Sequence, residues 1–299
     1  MRVILTGARG FLGSYIKNEL SKDGEVFTIS RKGASLRIDL SREIPSLPEV
    51  DLVIHCAGKA HSIPKTYAEK RAFFDVNLNG TENLLKGLEN CEALPKAFVF
   101  ISTVAVYGIE YGQMINENHA LNASDPYGLS KIQAEQLIQR WCEINKVICT
   151  ILRLPLLAGE NPPGNLGAMI KGIQKGYYFN IAGGSAKKSM VLAEDVAKII
   201  PEVSKIGGIF NLTDGHHPTF AELSYSIAKK MGKGSSMNVP FWVASIMAKF
   251  GDFLGNMAPI NSKKLAKITA NLTFDDSKAK KELNWKPNSV LSGLKIDRK

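Results

Sequence analysis

The chain is short of cysteine, of acidic side chains and of long apolar runs, and each shortage removes a class of protein. Its 299 residues include four cysteines, Cys56, Cys91, Cys142 and Cys149. No two form a CxxC pair and none has metal-ligand spacing, so no zinc module, resident metal or disulfide scaffold is expected, and a reducing compartment is. The longest apolar stretch, residues 241–254, is interrupted by Lys249 and Asp252. It is too short and too charged to span a bilayer. The N-terminus enters a strand at once, with no signal peptide, and a cytoplasmic location is the default expectation. Asp and Glu number 28 against 38 Lys and Arg, a formal charge of +10. A basic surface can attract nucleic acid, an anionic membrane or phosphorylated small molecules. The lysines are scattered with no run of five basic residues. The charge therefore reads mostly as a solvated surface, and no nucleic-acid partner is expected.

What is present is ordinary for a globular protein: 44% hydrophobic and 22% charged residues. At roughly 150 residues per domain the length points to about two domains, ample for a core without staples. Arg2-Val-Ile-Leu-Thr6 reads as a buried strand, followed by a Gly-rich turn and an amphipathic helix from about Phe11 to Ser21. Residues 25–30, 52–56, 97–102 and 147–154 read as further strands, with helical periodicity over 67–89 and a helix from Asp125-Pro126 to about Asn145. Nearly all-apolar strands alternating with helices argue for an α/β fold, a doubly wound parallel sheet covered on both faces. Beyond Pro155 the alternation fades, although residues 190–200 and 209–213 look like returns to the sheet. The division expected is a dinucleotide-binding domain over 1–160, with returns at about 190–213, and a smaller, mainly C-terminal substrate lobe over 161–189 and 214–299. Tyr177, Tyr178 and Phe179, and the pair Phe241-Trp242, read as core of that lobe. His216-His217, adjacent in a turn, are ill placed to share a metal.

Thr6-Gly7-Ala8-Arg9-Gly10-Phe11-Leu12-Gly13 spaces its glycines by three and three, after the first strand and into a helix. Gly7 permits the tight turn, Gly10 the approach of backbone to a pyrophosphate, and Gly13 close packing of helix on strand. The helix N-terminus adds about half a positive charge toward the phosphates. A plain tight turn is the alternative. The second strand ends Ser30-Arg31-Lys32, with no carboxylate for a ribose 2′-hydroxyl; a basic residue there suits the 2′-phosphate of NADP, and NAD remains possible. The alternative is two surface charges. Arg9 in the glycine loop is either exposed or near that 2′-phosphate. Asp39, in Arg37-Ile-Asp-Leu40, is placed to meet the adenine or is a loop Asp.

Tyr127-Gly-Leu-Ser-Lys131 sets a phenol and an ammonium four residues apart on one helix face. A neighbouring ammonium and a nicotinium charge favour phenolate. Such a Tyr can take a proton from an alcohol as hydride leaves, or return one to a ketone. Upstream, Ser102 and Thr103 stand at the C-terminal end of a parallel strand, where open α/β sheets hold their ligands. A hydroxyl there either holds the reacting oxygen or caps local backbone.

Together these features resemble the extended short-chain dehydrogenase/reductases, the NAD(P)-dependent nucleotide-sugar epimerase/dehydratase family. Thr6 to Gly13, with Phe11 and Leu12, is similar to the family's glycine motif. His55-Cys-Ala57-Gly58, followed by Lys59, is similar to its fourth-strand motif, and Asn77 to its helix Asn. Ser102 to Gly108 resembles S-[ST]-x-x-V-Y-G, Tyr127 and Lys131 match the catalytic pair, and Arg153-Leu154-Pro155 resembles the segment meeting the nicotinamide. Lys280 to Pro287 resembles the closing A-x-x-x-L-G-W-x-P stretch. The resemblance implies Thr103 in the hydroxyl role with Ser102 supporting. It implies Lys131 on the nicotinamide ribose, with Gly58, Lys59 and Asn77 lining the cleft. It also implies a homodimer through the helices of about 67–89 and 126–145.

The family's 4,6-dehydratases carry Asp-Glu after the catalytic Thr; Val104-Ala105 stand here, with no acid–base capacity. Two readings remain. A 4-ketoreductase of a nucleotide-activated sugar is favoured, by the basic residues after the second strand and by Arg153-Leu-Pro-Leu-Leu. A 4-epimerase of the UDP-glucose or UDP-N-acetylglucosamine type is the alternative; a further alternative is a non-catalytic dinucleotide-binding relative. Asn165 resembles the residue that meets the nucleotide diphosphate, and Lys188 stands where the family places an Arg for it. The rest of that family pattern is largely missing, Asp195 apart, which leaves a non-nucleotide substrate open. Replacement of Tyr127 by Phe is expected to abolish turnover and leave dinucleotide affinity within about twofold, read by steady-state kinetics beside a cofactor titration.

Overall fold

The computed structural model describes residues 1–60, 62–254 and 260–296. Its first half alternates strand and helix as the apolar pattern demands: β1 (Arg2–Thr6), α1 (Phe11–Leu20), β2 (Glu25–Ser30), β3 (Leu36–Arg37), β4 (Leu52–His55), α2 (Tyr67–Phe74), a π-helical turn (Asp75–Asn79), α3 (Gly80–Glu89), β5 (Ala97–Thr103), β6 (Gly112–Ile115), α4 (Pro126–Asn145) and β7 (Ile148–Leu154). There follow β8 (Leu156–Ala158), α5 (Gly164–Lys175), β9 (Phe179–Ile181), β10 (Met190–Leu192), α6 (Ala193–Ile206), β11 (Gly208–Asn211), α7 (Phe220–Lys230), β12 (Met237–Val239), α8 (Phe241–Leu254), α9 (Ser262–Thr269), β13 (Leu272–Phe274), α10 (Ser277–Leu283) and α11 (Val290–Gly293).

The central sheet has seven strands in the order β11-β7-β5-β4-β1-β2-β3, all pairs parallel. The fold is α/β, doubly wound. Strand side chains alternate between two cores, as a period of two requires. Val3, Leu5, Ile54 and Val99 pack on Leu12 and Ile16 of α1 and Val196 and Ile200 of α6. Ile4, Val53, Phe98 and Phe100 pack on Leu84 and Leu88 of α3 and Ile138 and Trp141 of α4. The chain begins in the middle of the sheet, winds out through β2 and β3, then crosses to β4 on the other side of β1. That reversal opens a crevice at the carboxyl ends of β1 and β4, the standard ligand position in such sheets.

Two local signals act as their chemistry predicts. The Asp125 side chain accepts from the Tyr127 and Gly128 amides at 3.0 and 3.1 Å, and Pro126 follows it, so α4 starts where the sequence says. Gly13 lies so close to the Gly7 carbonyl that a Cβ there would sit 2.1 Å from its oxygen.

The structure corrects the sequence reading in three places. Within residues 190–200 only Met190–Leu192 is strand, and it pairs with β8 outside the main sheet. Glu194 and Asp195 then favour the start of helix α6. The helical run over 67–89 is broken by the π turn at Asp75–Asn79. Phe241 and Trp242 do not pack the small lobe; they are 54% and 66% exposed, and Tyr177 and Phe179 are exposed too, leaving Tyr178 against the lobe's core. The reason lies in α8, whose inward positions are the small residues Ala244 and Ala248, set against Leu265 of α9. Close approach through small side chains leaves the large ones outside.

Replacing Gly13 by Ala is expected to destabilise the fold by about 2–4 kcal/mol, because the added methyl must displace main chain rather than a side chain. Urea unfolding monitored by circular dichroism reads the loss.

Candidate functional site

The crevice is built from three loops. Gly7, at φ +71°, brings the glycine turn against the loop after β4, within 2.6 Å of the Ala57 nitrogen measured from where a Cβ would stand. Helix α1 has no side-chain cap at Gly10. Its first-turn amides, those of Phe11, Leu12 and Gly13, are therefore left for an anion, and the donor set fits a pyrophosphate. At the far end of β2 the Arg9 guanidinium donates to the Lys32 carbonyl at 3.0 Å, and Arg37 donates to the Arg31 carbonyl at 3.3 Å. The Arg9 guanidinium, reaching over from the glycine turn, thus joins Arg31 and Lys32 at the end of β2. Asp39 lies beside Arg31, and a hydrogen bond from Ser41 holds its carboxyl below the usual range, with Arg31 and Arg42 adding to the effect. Leu40 is buried at the base of this edge, its carbonyl accepting from Asn83.

Beneath the crevice runs a chain of hydrogen bonds with one consistent direction. The Ala57 amide donates to Thr6 Oγ1 at 3.0 Å, and Thr6 Oγ1 meets His55 Nδ1 at 2.7 Å. His55 Nε2 meets Thr81 Oγ1 at 2.8 Å, and Thr81 donates to the Asn77 carbonyl at 2.7 Å. A neutral imidazole protonated at Nε2 satisfies every link and leaves the Thr6 proton with an acceptor. Burial enforces that state, lowering the His55 pKa to about 3, with Lys131 adding to the effect. The π turn, an uncommon device often found at functional sites, carries the fully buried Asn77. Its amide grips the Lys59 backbone at both ends (N–H to Oδ1 at 2.6 Å, Nδ2 to the carbonyl at 3.1 Å) and donates to Ser130 at 2.9 Å. Asn77 therefore ties the β4 loop to helix α4.

Tyr127, Lys131 and Thr103 meet at the carboxyl end of β5. The Tyr127 phenol faces the Thr103 hydroxyl, and its ring lies 6.1 Å from Phe73. Burial pushes the phenol above its usual value, and the Thr103 contact opposes this. The sequence anticipates the opposite direction, from a neighbouring ammonium. The difference has a physical cause: the Lys131 ammonium donates to the Ile101 carbonyl at 2.8 Å and sits 4.3 Å from the Phe100 ring centre. Burial lowers Lys131 to about 8, while the Glu135 carboxylate pulls it back up. The Cys56 thiol is pushed up to about 11 by burial and stays protonated. A Cβ on Gly58 would lie 3.4 Å from Lys131 Nζ and 3.2 Å from Asn77 Oδ1. Glycine there keeps open a cradle above the lysine that fits a ribose. Leu154 ends β7 beside Thr103 in register, with Pro155 after it.

The sequence reading missed the support under this trio. Glu135, fully buried one turn beyond Lys131, takes Arg153 in a forked ion pair, closest at 2.7 Å. Ser102 donates to the same carboxylate at 2.5 Å, so its hydroxyl faces the core and not a ligand. Arg153 also donates to the Tyr107 phenol, which donates to Asn211 at 2.8 Å. The available signal was the spacing Tyr127, Lys131, Glu135, three polar groups on one stripe of a helix whose stripe is otherwise buried.

The two proposed substrate residues stand on separate elements. Asn165 is exposed in the first turn of α5. Lys188 is half-buried beside β13, donates to the Lys267 carbonyl at 3.1 Å and is lowered to about 8 by burial and by Lys267. His217 bonds Ser189 at 2.9 Å and His216 pairs with Glu222 at 3.3 Å, so the two imidazoles part company. Among the described residues no helix is long and apolar enough to cross a membrane.

The folded chain holds Lys131 near 8, whereas the unfolded chain holds it near 10.5. Between those values the unfolded state binds the extra proton, so stability rises with pH across the window. Replacement of Lys131 by Met is expected to remove about 3 kcal/mol of that rise, read as the difference in urea unfolding between the two ends of the window.

Comparison with known proteins agrees with this architecture. The chain is 27% identical over 319 residues to the UDP-glucose 4-epimerase of Vibrio cholerae, covering 97% of this chain and 92% of that protein. It is 25% identical to the N-acetyl-alpha-D-glucosaminyl-diphospho-ditrans,octacis-undecaprenol 4-epimerase of Escherichia coli, covering 98% and 92%. The structure of a UDP-glucose 4-epimerase from Thermotoga maritima with UDP-glucose superposes with a TM-score of 0.77 at 21% identity, covering 98% of this chain and 96% of that one. The profile of the NAD dependent epimerase/dehydratase family matches residues 3–211. The chain belongs to the NAD dependent epimerase/dehydratase family, the extended short-chain dehydrogenase/reductases, and is an enzyme of that group.

Proposed function

We propose that the chain performs reversible redox chemistry at C4 of a sugar carried on a diphosphate, and that it does so as an NADPH-dependent 4-ketoreductase. The observation that carries the chemistry is the contact of the Tyr127 phenol with the Thr103 hydroxyl at the end of β5, above the buried Lys131 ammonium. A sugar oxygen seated on those two hydroxyls lies where Tyr127 can deliver or remove its proton. The Thr103 oxygen also accepts from the Ala105 amide at 3.2 Å, which holds the hydroxyl in place beside Tyr127. Lys131 holds the ribose beside Gly58, and its charge favours the phenolate once the site is filled. The dinucleotide, when bound, supplies and accepts the hydride. Val104 and Ala105 form a short 3-10 turn with no acid or base, which argues against dehydration.

The preference for NADPH rests on Arg9, Arg31 and Lys32 at the end of β2, with no carboxylate at Ser30. Asn165 and Lys188 are the groups proposed for the diphosphate. The named relatives support a second reading, 4-epimerisation, in which the cofactor is recycled within the site. The carrier proposed is a nucleoside diphosphate, as in most of those names; the Escherichia coli relative's name places the sugar on a polyprenol diphosphate.

Changing both Arg31 and Lys32 to Ala is expected to weaken NADPH about tenfold and to leave NADH almost unchanged, by fluorescence titration. With a 4-keto nucleotide sugar the wild type should consume one NADPH per product. Interconversion of C4 epimers without net cofactor consumption, from protein that retains its nucleotide on purification, would replace the reductase by the epimerase.

A further inference from the structure

Helix α8 packs with its large side chains facing outward. Its buried positions are Ala244, Ala248 and Gly251, and the two alanines pack with Leu265, Ile181 and Val239. Its outer face carries Trp242, Ile246, Phe250 and Phe253, spaced so that they line one stripe, and Phe253 is 94% exposed. Phe241 and Met247 flank the stripe, and the short β9–β12 sheet leading into α8 exposes Phe179 and Met237 opposite each other in register. A monomeric protein seldom leaves several hundred square ångströms of contiguous aromatic surface in water without a use for it.

The charge around the stripe is one-sided. Residues 223–274 contain seven lysines and a single acidic residue, Asp252. Asp252 is bonded to the Ser262 amide at 2.9 Å, at the start of α9. Lys249 lies on α8 itself, and Lys263 and Lys267 are exposed on α9, which packs alongside, Lys267 lying 3.7 Å from Glu110. Two copies pressed together through this face would set lysine against lysine. The helix is 14 residues long, too short to span a bilayer but suited to lie in its interface. Aromatic side chains at the level of the headgroups, ringed by lysine, are the composition that an anionic lipid surface selects.

We propose that the outer face of α8, with the lysines of α8 and α9, docks the C-terminal part of this enzyme on an anionic membrane surface. The helix lies in the plane of the headgroups, with Trp242, Phe250 and Phe253 inserted and the lysines on lipid phosphates. The proposal stands apart from the choice of sugar, carrier or cofactor, because none of these residues belongs to the catalytic site.

The test uses the full chain with phosphatidylcholine vesicles, plain or with about 30 mol% phosphatidylglycerol. Trp141 and Trp285 are buried and bonded to Glu89 and Thr213, so a change in emission on vesicles reports Trp242. The expected result is co-sedimentation with the anionic vesicles only, a blue shift of emission, and release at high salt. The triple variant W242S/F250S/F253S is expected to lose at least about tenfold in vesicle binding while keeping its circular dichroism and dinucleotide affinity. A Lys249→Glu change, which leaves the aromatic face intact, is expected to weaken binding to the anionic vesicles about threefold. Absence of binding to anionic vesicles, or undiminished binding by the triple variant, overturns the proposal. So does a dimer in sedimentation that the triple variant dissolves without any vesicle binding, which would give the face to a second copy. Sugar turnover is assayed on the same preparations: vesicle binding without turnover refutes the proposed reaction alone, and turnover without vesicle binding refutes docking alone.

Discussion

The buried pair Glu135–Arg153 is the constraint on which the active-site geometry depends. Both side chains are almost wholly removed from water, and a buried ion pair holds only with good geometry and further hydrogen bonds. Here the fork is completed by Ser102 on the carboxylate, and by Tyr107 and the Glu117 carbonyl on the guanidinium. The pair joins α4 to β7, and Ser102 joins it to β5. Sliding α4 by a single turn would strand a charge in the core, at a loss of about 3–5 kcal/mol. Lys131 and Tyr127, one and two turns up the same stripe, are thereby kept in register with the Ile101 carbonyl and Thr103.

A second, uncharged system fixes the cofactor side of the crevice. The neutral His55 relay connects the glycine turn, β4 and the start of α3, and Asn77 in the π turn connects the β4 loop to α4. The extra residue of a π turn rotates Asn77 out of the helical repeat, so that one amide reaches Lys59 on one side and Ser130 on the other. Polar groups buried this deeply are stable because all are paired. The floor of the site is therefore fully hydrogen-bonded by the chain itself, which favours proton transfer at a fixed distance.

The C-terminal part follows another logic. The sheet core hides its large side chains on both faces, whereas α8 hides small ones and displays aromatics amid lysine.

Much of this protein was legible in its sequence. Apolar strands alternating with helices gave the parallel sheet, because only burial on both faces tolerates such runs. The Gly7-Gly10-Gly13 spacing, the Asp125-Pro126 start and the Tyr127/Lys131 interval are local geometry, written in consecutive residues, and the structure has the same turn, helix start and helix face. What the sequence left undetermined is what arises between distant segments. The partner of Arg153 is 18 positions away, and the inward turn of Ser102 follows from that partner. The direction of the Tyr127 shift is set by burial and by where the Lys131 ammonium is bonded, neither of which a one-helix reading contains. The outward face of α8 depends on how closely α9 approaches Ala244 and Ala248. Local chain geometry is a property of neighbours along the sequence; burial, charge pairing and the choice of face exist only once the chain has closed on itself.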